Sequence, residues 1–176
     1  MRAEENLKEL LNLMKSYLNR IDFLKVDEMI KEIRKSRRVF IVGAGLNSFV
    51  AGIFATRLAH LGYVAYSTET LMPPIEEGDL LIAISGSGFT RPTVDYAKVA
   101  KEVGAKVVAI TSFKDSELAK IADILVEIPG RIITEKYKKD YLERQIAGIV
   151  EPKASKVMNF EILCILLIDA IIDDLK

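Results

Sequence analysis

"DLLIAISGSGFTRP", residues 79–92, passes from an unbroken apolar run into glycines and hydroxyls. Residues 80–84 are apolar on both faces of an extended chain, the pattern of a strand covered on both sides in a parallel sheet. Ser85, Gly86, Ser87, Gly88 and Thr90 then offer no side chain large enough to pack. Glycines let a backbone come close to another group, and the hydroxyls supply hydrogen bonds to it. Pro92 is placed for the first turn of a helix. Strand, glycine turn and helix in that order define one half of an α/β unit.

The same alternation extends outward. Residues 37–43, 63–68, 105–111 and 122–128 give four more short strands, with helical stretches at 47–60, 91–103 and 115–121 between them. Two helices precede any strand. Residues 3–19 align Leu7, Leu10, Leu11, Met14 and Leu18, and residues 25–36 align Val26, Met29, Ile30 and Ile33. Residues 159–175 form a closing helix, and the charged 137–145 reads as a solvated helix or loop. The expected architecture is a doubly wound α/β/α sandwich with a five-stranded parallel sheet. It is one domain over 1–176, with a helical extension at 1–36 and the α/β core at 37–176.

Composition excludes several classes. In 176 residues the hydrophobic content is 50%, enough for a sizeable core. Lys and Arg number 25, as do Asp and Glu, and no basic run offers a footprint for nucleic acid. The start of the chain is acidic and amphipathic, unlike a secretory signal. The apolar run from Ile162 is too short for a membrane span and contains Asp169. Cys164 is the single cysteine, so no intrachain disulfide forms and a cytoplasmic location is expected. One glutamine and no tryptophan point weakly to a thermophilic source.

Ligands of such sheets bind beyond the carboxyl ends of the strands, where strand order reverses. Two turns there carry anion chemistry. Residues 42–48, "VGAGLNS", open a helix through Asn47 or Ser48 as N-cap, with Gly45 in the turn. Residues 85–90 open the next, followed by Arg91. If the sheet reverses between these strands, the hydroxyls of Ser85, Ser87 and Thr90 and two helix N-termini surround one anion. Two other readings stand beside this. Gly-Ser turns also serve as plain connections, and "GAGLNS" followed by Glu69 partly fits a dinucleotide fold, although it lacks a third glycine and leaves the second loop unexplained.

"FIVGAGLNSFVAGIFATRLAHLGY" (40–63), "PPIEEGDLLIAISGSGFT" (73–90), "AKVVAITSFKDSELAKIADILVEIPG" (105–130) and "FEILCILLIDAII" (160–172) together resemble the sugar isomerase (SIS) domain. More narrowly they resemble the 6-phospho-3-hexuloisomerases. The resemblance implies isomerisation of a 3-ketohexose 6-phosphate to fructose 6-phosphate, a homotetramer, and no metal or organic cofactor. It implies that Ser85, Gly86, Ser87, Gly88 and Thr90 hold the phosphate, and that Gly45, Asn47, Ser48 and Arg91 lie near the substrate. It also implies that Glu161 is the base and His60 acts at the site. Without the resemblance, His60 reads as a cation at a helix C-terminus and Glu161 as an acidic residue in a helix first turn.

Departures accompany these matches. The family arginine and serine of the first loop are Leu46 and Asn47, the glutamate after SGSG is Phe89, and the stretch before "FE" reads "SKVMN" (155–159). Arg91, Arg57 and Lys156 are the candidates for the missing positive charge. A module that binds or senses a sugar phosphate without turning it over is the alternative these departures favour.

Overall fold

The computed structural model describes residues 2–68, 72–131, 146 and 159–176. Helices α1 (Arg2–Leu18) and α2 (Phe23–Lys35) lead into β1 (Val39–Gly43), α3 (Leu46–His60), β2 (Ala65–Ser67) and β3 (Leu80–Ile84). There follow α4 (Arg91–Glu102), β4 (Lys106–Thr111), α5 (Glu117–Ile121), β5 (Ile124–Glu127) and α6 (Asn159–Leu175). The five strands are all parallel, in the order β2-β1-β3-β4-β5. Residues 137–145, Glu69 and Lys156 lie outside the described residues.

Strand side chains alternate between two cores, as the two-residue period of a strand requires. Val39, Ile41, Leu80, Ile82, Ile84, Val108 and Ile110 face α2, α3 and α6, through Met29, Ile33, Phe54, Leu58, Leu163 and Ile168. Phe40, Val42, Leu81, Ala83, Val107 and Ala109 face α4 and α5, through Val94, Ala97, Ala100 and Leu118. Burying one Leu, Ile or Phe side chain contributes roughly 1.5–3 kcal/mol, so covering both faces is what holds a parallel sheet together. The leading helix departs from its expected packing: Met14 is buried on α1, but Leu7 and Leu11 are more than half exposed.

Asp79 anchors the amino end of β3. Its carboxylate is fully buried and accepts hydrogen bonds from Arg38 Nε at 3.0 Å, Arg37 Nε at 3.3 Å and the Glu76 amide at 2.8 Å. Burial alone would push this carboxyl up. The hydrogen bonds from Arg38, the Glu76 amide and Arg37 outweigh it and leave the group below its ordinary value. A depressed carboxyl stabilises the fold above the ordinary carboxylate range and loses that contribution as pH falls through its folded value. Asp79→Asn is expected to cost about 2 kcal/mol at pH 7 in urea denaturation. The difference from the parent should narrow as pH falls below the ordinary carboxylate range and close only below the depressed folded value, where Asp79 itself becomes protonated.

Candidate functional site

The strand order places β2 on one side of β1 and β3 on the other, so chain departures from β1 and β3 diverge and open a crevice at their carboxyl ends. Gly43 of β1 is level with Ile84 of β3, which brings the 43–48 and 85–90 turns together as expected from the sequence.

The second turn is tied down through its carbonyls. Ser85 O accepts from the Gly88 amide at 3.0 Å, Gly86 O from the Ser112 amide at 3.2 Å, and Gly88 O from the Leu118 amide at 3.0 Å. No described peptide is cis. A trans peptide carries its N–H opposite its C=O, so inward carbonyls at Ser85 and Gly86 turn the amides of Gly86 and Ser87 outward. Successive outward amides form a concavity suited to an anion. Gly88 has φ +69°, and a side chain there would collide with Ser116 and Thr111, so only glycine completes the turn.

The hydroxyls divide into two kinds. Ser85 Oγ and Thr90 Oγ1 are buried and bonded to each other at 2.9 Å, and Ser85 Oγ also accepts from the Gly88 amide. In this geometry they shape the turn. Ser87 is half-buried and its Oγ accepts from the Phe89 amide at 3.2 Å, which leaves its proton available. Phe89 is half-buried too.

In the first turn, the N-cap of α3 is Gly45, at φ +61°, and the helix begins at Leu46. This corrects the expected cap at Asn47 or Ser48. Ser48 Oγ donates back to Gly45 O at 2.9 Å, as a hydroxyl inside a first turn does, and Asn47 is carried into the helix and buried.

Glu161 lies on the first turn of α6 and is 1% exposed. Its Oε1 accepts from an Arg131 guanidinium nitrogen in a short ion pair. Arg131 follows β5 and was not anticipated. A Cβ on Gly86 would meet Arg131 Nε at 2.7 Å and the Phe160 ring at 3.2 Å, so the arginine lies directly on the phosphate-type turn. The three cations considered for this role are elsewhere. Arg91 is exposed and paired with Asp95, Arg57 is paired with Asp169 at 2.6 Å, and Lys156 is outside the described residues. The readable signal was position: "IPGR" sits at a strand's carboxyl end.

Within one chain, His60 does not join this group. It is exposed at the last turn of α3, roughly 20 Å along the helix from its first turn. Phe160 lies against Gly86 at the carboxyl end of the sheet and Asp174 meets Arg34 ahead of β1, so α6 runs the same way as α3 and His60 lies toward the far end of α6 from Glu161. Cys164, one turn beyond Glu161, is buried. Burial first, and then the Glu161 carboxylate, push its thiol up, with Arg131 opposing them, so it stays a protonated core group. Among the described residues no cluster of three His, Cys, Asp or Glu could hold a metal ion, and no helix is long and apolar enough to cross a membrane.

Residues 32–138 match the SIS domain. The chain belongs to the SIS domain family. This SIS-domain chain is 41% identical over 173 residues to an uncharacterized protein of Aeropyrum pernix, covering 96% of this chain and 81% of the relative. It is 36% identical over 131 residues to the 3-hexulose-6-phosphate isomerase of Bacillus subtilis, covering 74% of this chain and 71% of that enzyme. A crystal structure of a Methanococcus jannaschii protein, from which a 3-hexulose-6-phosphate isomerase function was inferred, superposes with a TM-score of 0.71. It is 28% identical and covers 99% of this chain and 89% of that one. The SIS match supersedes the dinucleotide reading.

A buried carboxylate depends strongly on its cation. Arg131→Met is therefore expected to destabilise the protein by about 3 kcal/mol in urea denaturation. The same change made on a Glu161→Gln background should cost markedly less, and the difference measures their coupling.

Proposed function

We propose that this SIS-domain protein is a phosphosugar isomerase that interconverts 3-hexulose 6-phosphate and fructose 6-phosphate. The observation that carries the reading is the Glu161–Arg131 pair, a carboxylate and a guanidinium set against the outward-amide turn at Gly86. Two relatives covering most of this chain's α/β core carry the matching enzyme name, in Bacillus subtilis and, at 37% identity, in Methanocaldococcus jannaschii.

The chemistry follows from the groups. The phosphate lies on the Gly86 and Ser87 amides and the Ser87 hydroxyl, which extends the sugar toward α6. Glu161 takes the proton from C2, the C2–C3 enediol forms, and the same carboxyl returns a proton to C3 while the hydroxyl proton of O2 passes to O3. Arg131 stabilises the oxygen on which negative charge develops. No cofactor is needed for this proton traffic.

A second reading, a module that binds a sugar phosphate without turnover, is favoured by the distance of His60 from Glu161 and by Leu46 at the mouth of the first turn. A coupled assay with 3-hexulose 6-phosphate separates the two. The parent should turn over at least about a hundredfold faster than Glu161→Gln, the range of a removed general base. Equal rates with retained fructose 6-phosphate binding would establish the binding module instead.

We also propose a homo-oligomer. Leu46, Phe49 and Ile53 form an exposed apolar stripe along α3, with His60 at its end. Burying this stripe against a second copy is the route by which His60 reaches a site. Phe49→Glu should shift the species seen in sedimentation to a smaller mass, and an unchanged mass would place the contact elsewhere.

A further inference from the structure

Among the described residues, the buried side-chain oxygens with no hydrogen-bond partner include Asn47 Oδ1 and Asn159 Oδ1. Their residues are 8% and 4% exposed. A carboxamide withdrawn from water without a partner is costly, and folds remove such groups unless something else holds them. Neither asparagine is acting as a helix cap. Gly45 caps α3, and Asn159 Oδ1, at the very start of α6 where it could accept a first-turn amide, accepts none.

The two asparagines belong to one place. Helices α3 and α6 pack side by side in one core and run the same way, and Asn47 and Asn159 each lie ten residues before the Arg57–Asp169 ion pair that joins them. They are therefore level, at the helix starts that open on the crevice. Asn47 packs over Gly43 at the end of β1, where a Cβ would meet Asn47 Cβ at 3.0 Å. Asn159 adjoins Phe160, whose ring lies against Gly86, and stands two residues before Glu161. Thr93 Oγ1 is likewise buried without a partner, on α4, which packs on the opposite face of the sheet from α3 and α6.

The SIS resemblance already sets Asn47 near the substrate, and we propose that the Asn159 carboxamide joins it as a second substrate-reading group. Each presents one acceptor and one two-proton donor, the set that matches the alternating hydroxyl and carbonyl oxygens of an open-chain keto-sugar phosphate. The phosphate turn holds the anion, and the two amides select what is attached to it and hold C2 and C3 against Glu161. This rests on the phosphosugar reading above and assigns Asn159 a role as a specificity and positioning residue.

The test is calorimetric titration of the parent and of Asn159→Leu with fructose 6-phosphate and with inorganic phosphate, together with thermal unfolding. The expected result is fructose 6-phosphate binding weakened about fivefold or more, phosphate binding unchanged, and a higher Tm, because the substitution removes an unsatisfied polar group from the free protein. A lower Tm, or loss of both ligands in parallel, would assign Asn159 to folding and overturn the proposal. So would an unchanged preference for fructose 6-phosphate over phosphate in the variant. A parent that prefers neither ligand would instead sink the phosphosugar reading and this one with it. Asn159→Ala repeats the comparison if the leucine overpacks.

Discussion

A parallel sheet that is covered on both faces leaves its chemistry only one place to go. Every side chain of β1 and β3 is committed to one of two cores, so polar function is confined to the turns that leave the strands. Which turns meet is then set by strand order alone. With β1 flanked by β2 and β3, the turns after Gly43 and after Ile84 face one crevice, and α3 and α4 begin there. Everything else in the site is arranged around these two strand ends.

Within that frame, positive charge arrives from an unexpected side. The first turn has Leu46 where a cation was looked for, and the cation comes instead from Arg131 beyond β5, crossing to lie on Gly86. The absence of a Cβ at Gly86 is what admits it. Paired with Glu161, the guanidinium makes tolerable a carboxylate that is almost entirely withdrawn from water. Buried ion pairs of this kind are often no better for stability than apolar residues of the same volume. The position of this pair against the Gly86 turn fits the proposed use in binding or chemistry.

The elements were legible because they are regular. Apolar runs marked all five strands and the 3.6 period marked the helices, with boundaries close to those observed. The site was legible only as far as local turn chemistry reaches. The glycine turn was read correctly as a place of close approach, but Ser85 and Thr90 bond to one another, which depends on a loop conformation that composition does not encode. The helix start at Leu46 was placed too late because asparagine and serine are common caps, whereas here Gly45 turns the chain. Arg131 follows a strand as a single residue with no period or partner in sequence, so only the fold reveals that it meets Glu161 thirty residues on. The same holds for His60, whose distance from Glu161 is a consequence of α3 running away from the crevice.

The two ends of the sheet obey opposite rules. At the amino end Asp79 collects hydrogen bonds from Arg37, Arg38 and the Glu76 amide, and its burial is fully compensated. At the carboxyl end, among the described residues, Asn47 and Asn159 hold buried oxygens with no hydrogen-bond partner. A fold satisfies its polar groups where structure is the only demand and leaves them unsatisfied where a ligand completes the bonding. The asymmetry supports the proposed binding role of the carboxyl end, which is also the end that strand order selects.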